Sequence, residues 1–246
     1  PSPNTSTQRL GDMSPSTKAR ITGALYLLTI VAGVIAEGFI SGGLVTSSAT
    51  TTATNIVSHE SLYRLGFSVY LVEMMCQIAT TVLFYQLLKP VSKSVATLAL
   101  VFGLVGCTIK AISRLFYYAP LLVLGGAPYL GEFSPSQLQS LSLLLLKMNS
   151  QGAAMALAFF GVESLLDGWL ILKSAFLPRW VGVLGIIGSA GWLTFIWPPL
   201  GYRVFNVVAL FGIVGSLALI LWLLIKGVNE ERWLERARAA STSIWR

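Results

Sequence analysis

Six runs of about 20 predominantly apolar residues constrain this chain more than any other feature. They occupy residues 21–40, 64–88, 94–118, 151–173, 180–197 and 205–226, and the fifth is the shortest, ending at Pro198-Pro199. Each is long enough to cross a hydrocarbon layer, where a backbone must satisfy its own hydrogen bonds, so each is expected to be an α-helix. The predicted fold is all-α: a polytopic membrane helix bundle with six transmembrane spans. Composition agrees, because 11% of residues are charged where a soluble domain has roughly 25%.

The net charge of +7 would suit a nucleic-acid partner in a soluble protein. Here the basic residues flank the apolar runs or form a tail, with no basic stripe carrying interleaved aromatics, so nucleic acid is not an expected partner. The surplus instead sorts by side of the membrane. Arg9, Lys18, Arg20, Lys89, Lys93, Lys173, Arg179, Lys226, Arg232, Arg236, Arg238 and Arg246 fall on one side; Arg64, Lys147 and Arg203 fall on the other. That bias puts both termini in the cytoplasm. The expected organisation is a mobile tail over residues 1–19, a membrane domain over 20–227 and a cytoplasmic amphipathic tail over 228–246. In the last of these, Trp233, Leu234 and Ala237 stand among arginines, as suits a helix lying on an anionic leaflet.

Two connections carry local signals. Residues 55–61 suggest a short helix leading into the second span. Ser134-Pro135-Ser136-Gln137 has an N-cap serine, a proline at N1 and a glutamine at N3, so a helix is predicted to begin at Pro135. It either lies at the interface or continues into the fourth span as one rod.

The third span holds Lys110 and Arg114 on one helical face. Unpaired in hydrocarbon they would cost several kcal/mol, so other spans are expected to bring carboxylates to them. Glu37, Glu73, Glu163 and Asp167 are the acids within apolar runs. At about 1.5 Å rise per residue, Glu37 and Lys110 both lie about 24 Å up from the cytoplasmic side, and Glu73 and Glu163 both lie about 15 Å up. Glu37 is thus expected to meet Lys110, and Glu73 to face Glu163. Gln77, Thr80 and Thr81 extend the Glu73 face, while Ser113 and Tyr117 accompany the two cations. Four acids exceed two bases, and desolvation and like charge both favour the neutral acid, so at least one of Glu73, Glu163 and Asp167 is expected to keep its proton near neutral pH. The candidate ligand or proton path is Glu37, Glu73, Gln77, Lys110, Arg114, Glu163 and Asp167. The alternative is a purely structural network that fixes helix register.

Other chemistry finds little support. One histidine, and no Cys-x-x-Cys, leave no ligand set for a zinc site, and no metal site is expected. Cys76 and Cys107 lie inside apolar runs, away from oxidising space. No serine has a histidine base in a recognisable frame, so an intramembrane enzyme is the least supported class, and no cofactor is identified. Trp169, Trp180, Trp192 and Trp197 read as interfacial belt residues. Gly103, Gly106, Gly182, Gly185, Gly188, Gly212, Gly215 and Ser216 mark places where helices approach closely.

The segments 19–39, 55–67, 87–91, 133–146 and 159–185, the last reading FFGVESLLDGWLILKSAFLPRWVGVLG, resemble the bacterial membrane-protein family known as domain of unknown function 4386. The resemblance implies a multi-span protein of the bacterial inner membrane and no assigned activity. Relatives often have histidine where this chain has Glu163, and another near Asn149, so the resemblance carries no metal or haem role to this chain.

Two functions remain. The polar layer binds a small solute or relays protons in coupled transport, with Glu73 and Glu163 as the protonatable pair; the absence of a visible inverted repeat counts against a full secondary transporter. Alternatively the protein is a non-catalytic accessory or assembly subunit. The small-residue faces of spans five and six would then dock a membrane-protein partner or a second copy.

Overall fold

The computed structural model describes residues 13–242, apart from the Thr242 side chain. Six of its helical segments are long and apolar enough to cross a membrane. The first comprises α1 (Pro15–Gly33), a π-helical stretch (Val34–Ser41) and a last turn (Gly42–Leu44). A short helix α2 (Ala49–Ser58) precedes the second span, α3 (Glu60–Leu88). The others are α4 (Lys93–Val123), α5 (Pro135–Lys173), α6 (Arg179–Trp192) with a 3₁₀ extension (Leu193–Ile196), and α7 (Pro198–Ile225). A terminal helix, α8, covers Glu230–Thr242.

α1 begins at Pro15, so residues 15–19 of the expected tail are helical. Ser14 caps it by accepting from the Thr17 amide at 3.2 Å, with Pro15 in the first turn. α5 starts in the same way: Ser134 and Gln137 form the capping box foreseen from sequence. Of the two outcomes open for this segment, the single rod holds, running unbroken for 39 residues. That is about 58 Å, nearly twice the hydrocarbon thickness, so its first turns project beyond the membrane. α2 packs there, with Thr50 donating to Gln139 Oε1 at 3.0 Å. α2 is also longer than expected, because Ser48 caps the preceding Ser/Thr/Ala stretch as well.

Each span packs on its neighbours in sequence, and α1 closes the ring on α7. Glycines set several of these contacts: Gly182 lies against the Gly168 carbonyl, Gly188 against Gly212, and Gly215 against the Leu184 carbonyl. A side chain at any of these points would push the backbones apart. The small-residue faces of spans five and six therefore meet inside the chain. They do not form an outward docking surface. Both ends of the described chain lie on one face of the bundle, where the Ser16 amide donates to Glu230 Oε1 at 3.1 Å and Trp233 Nε1 donates to the Leu87 carbonyl at 2.9 Å.

Candidate functional site

The expected polar layer forms, but it divides into two compartments. The larger is a cavity of about 430 Å³ to which all six spans contribute. α3 and α4 present Glu73, Lys110 and Arg114 to it, and the π-helical part of span one presents Glu37. A π turn widens the helix and re-aims its side chains, which is why such turns recur at functional sites. Ala153 and Leu157 of α5, Trp192 and Phe195 at the end of span five, and Tyr202 and Phe205 of α7 complete the wall. One side is thus charged and the other apolar and aromatic.

The pairing differs from the depth-based expectation. Lys110 Nζ donates to Glu73 Oε1, not to Glu37. Glu37 instead accepts a hydrogen bond from the Tyr70 hydroxyl. Rise per residue fixes height but not azimuth, and Glu73 lies at Lys110's angular position across the α3–α4 contact. Arg114 is 2% exposed, with its guanidinium 3.6 Å from the centre of the Tyr70 ring and Nη1 donating to Asn149 Oδ1 at 3.0 Å. Among the described residues no carboxylate touches it: a π face and an amide oxygen hold this charge. Among the described residues, Glu73 Oε2, Arg114 Nε and the Tyr117 hydroxyl are buried without a hydrogen-bond partner. Tyr117 stacks on Tyr63, whose hydroxyl donates to the Tyr117 carbonyl.

The smaller cavity, about 80 Å³, holds Glu163 and Asp167. Glu163 accepts from the Thr81 hydroxyl at 2.8 Å and packs against Gly103, where any side chain would collide with the carboxylate. Gln77, Thr80 and Thr81 line this cavity and not the one at Glu73, a correction to their assignment to the Glu73 face. Glu73 and Glu163 likewise do not face each other: they line separate cavities. No Lys or Arg is among the residues lining the smaller one, whose wall also includes Tyr26, Ser189 and Ser216. Trp192 borders both cavities and packs on Gly212, so it is an internal partition and not a belt residue. By contrast Trp169, Trp180 and Trp197 are exposed, consistent with the belt.

Tyr70, Asn149 and Trp192 are the members that sequence reasoning missed. Tyr70 and Asn149 have a retrievable signal, since a buried guanidinium without an acid at its height needs aromatic or amide partners.

Fold and site together define a polytopic helical membrane protein with Glu73, Arg114 and Glu163 buried between its spans and Glu37 at the exposed edge of the larger cavity. The chain belongs to the DUF4386 family, "domain of unknown function", whose model matches residues 21–227. An uncharacterized protein of Archaeoglobus fulgidus is 36% identical over 70 residues, a stretch covering 28% of this chain and 42% of that protein. The chain thus aligns with less than half of that relative. No solved structure matches it.

Proposed function

We propose that this protein binds a small polar solute within the membrane, in the cavity bounded by Glu37, Glu73, Lys110 and Arg114, and that Glu163 and Asp167 supply a proton-linked step. The observation that carries this reading is the 430 Å³ void with a charged wall and an aromatic one. A purely structural ion network has no use for such a void, whereas ligand pockets span about 300–1,000 Å³ and combine apolar walls with a few polar groups. Glu73 is already neutralised by Lys110, so the protonatable pair becomes Glu163 with Asp167. The accessory-subunit reading loses the glycine faces it relied on, because α6 and α7 pack them against each other and against α5.

The charge bias across the connections supports both termini being cytoplasmic in a bacterial inner membrane. Arg9 and Arg246 lie outside the described residues; the other ten basic residues of that side remain after both are set aside.

The test is purification in mild detergent followed by mass spectrometry of copurified small molecules, comparing the native chain with Ala153→Trp. That substitution fills the cavity and leaves every charge in place. A solute present with the native chain and lost from a folded Ala153→Trp protein is the expected result. Identical small-molecule content in the two would refute the reading.

A further inference from the structure

We propose a second site outside the solute cavity: the cleft between the α3–α4 turn and α8 binds the phosphate group of an anionic phospholipid. The cleft measures about 670 Å³ and is lined by Lys89, Lys93 and Arg236, with no acidic residue among the described residues. Lys89 lies 5.9 Å from the Tyr85 ring, and Arg236 makes a long 3.5 Å bond to the Lys173 carbonyl. Neither contact neutralises its cation, and among the described residues no carboxylate pairs with Lys89 or Lys93. The acids of α8 are turned elsewhere: Glu230 bonds the Ser16 amide, and Glu231 and Glu235 do not line the cleft.

Three cations facing one recess repel one another unless an anion joins them. The first turn of α4 borders the same recess and carries no acidic residue. Position selects the source of the anion. The cleft lies where spans two and three leave the membrane, beside the aromatic pair Tyr85 and Trp233, and Val91 and Ala237 add an apolar margin. Trp233 is pinned there by its bond to the Leu87 carbonyl, which fixes α8 as one wall of the site. A phosphodiester on a glycerol backbone matches both halves, with phosphate to the cations and acyl chains to the apolar margin. A free phosphate matches the charge alone.

The experiment is native mass spectrometry and thermal unfolding of the full chain with three probes: phosphatidylglycerol, phosphatidylcholine and inorganic phosphate. The triple variant Lys89→Gln/Lys93→Gln/Arg236→Gln is compared with Arg20→Gln/Arg179→Gln/Lys226→Gln, which removes equal charge from exposed sites outside the cleft. Preferential retention of phosphatidylglycerol, weakened by about tenfold or more in the cleft variant and unchanged in the control, is the expected result. Equal weakening in both variants would reduce the attraction to general surface charge and overturn the site. Stabilisation by inorganic phosphate as strong as by phosphatidylglycerol would overturn the lipid as its source. Unfolding in the absence of lipid shows whether the cleft variant is folded. If it is not, Lys93→Gln alone, at the exposed rim, is read against the same criteria.

Discussion

The Glu73–Lys110 pair sets an unequal wager between its two members. Glu73 has a side chain 6% exposed and one carboxylate oxygen already without a partner, whereas Lys110 is 19% exposed and opens onto the cavity. Replacing Lys110 by Met strips the remaining oxygen of its cation and leaves an uncompensated charge in the bundle, which costs about 3–5 kcal/mol. Replacing Glu73 by Gln leaves a lysine that can swing into the void, so the cost falls to about 1–2 kcal/mol. In the double variant neither charge is left alone, and the loss should be smaller than that of Lys110→Met by about 2 kcal/mol. At about 2–4 °C per kcal/mol for a chain of this size, Lys110→Met lowers Tm by about 6–20 °C. The chain supplies its own reporter, because the Cys107 thiol is 1% exposed and a maleimide fluorophore reaches it on unfolding, read in a Cys76→Ser background. A double variant less stable than Lys110→Met, or a Glu73→Gln protein less stable than Lys110→Met, would refute this account of the pair.

Arg114→Lys should destabilise by about 2–3 kcal/mol despite keeping the charge, because the stacked plane over Tyr70 and the fixed reach to Asn149 are both lost. Tyr70→Phe, which keeps the ring and drops only the bond to Glu37, should cost about 1 kcal/mol in the same thiol-exposure assay. Gly103→Ala drives a methyl into the Glu163 carboxylate and Thr81, so a loss of about 1–3 kcal/mol is expected; Gly38→Ala meets nothing within 4 Å and should be neutral in the same melt. For topology, Ser92→Cys and Tyr129→Cys lie in connections on opposite faces of the bundle, and an impermeant maleimide added to intact cells should label only Tyr129→Cys. The reverse labelling would invert the proposed orientation.

Spans were legible because twenty apolar residues in lipid have one backbone solution, and their number and order follow from length alone. Caps were legible where the pattern was sought. Ser14-Pro15-Ser16 opens α1 as Ser134-Pro135-Ser136 opens α5, but its Pro/Ser/Thr-rich surroundings read as tail. The π-helical stretch around Glu37, which packs on α3, has no counterpart in the sequence pattern, because a π turn carries no residue signature comparable to a cap. The polar layer was legible as a set of residues and not as pairs. Height along a helix can be counted, but azimuth depends on crossing angles and on glycine contacts that no single run reveals. Glu73 and Glu163 share a height and still sit in different cavities, because α3 turns Glu73 toward Lys110 and Gly103 admits Glu163 only beside Thr81.

That division changes what the charge count means. Taken as one layer, four acids against two bases leave the excess anywhere. Taken as two compartments, Glu37 and Glu73 balance Lys110 and Arg114 in the larger cavity, and the whole excess falls on Glu163 and Asp167. Trp192, packed on Gly212, borders both voids. A charge-balanced solute site and an acid pair that share a wall residue can influence each other without sharing a ligand. Glu163→Gln keeps an acceptor oxygen for the Thr81 hydroxyl but places an amide donor in a buried site, so it should cost about 1–2 kcal/mol and leave the protein folded. If solute retention is proton-linked, the same substitution should abolish its dependence on pH while leaving the solute bound; retention that still varies with pH in Glu163→Gln, and in Asp167→Asn beside it, would sever the two compartments functionally.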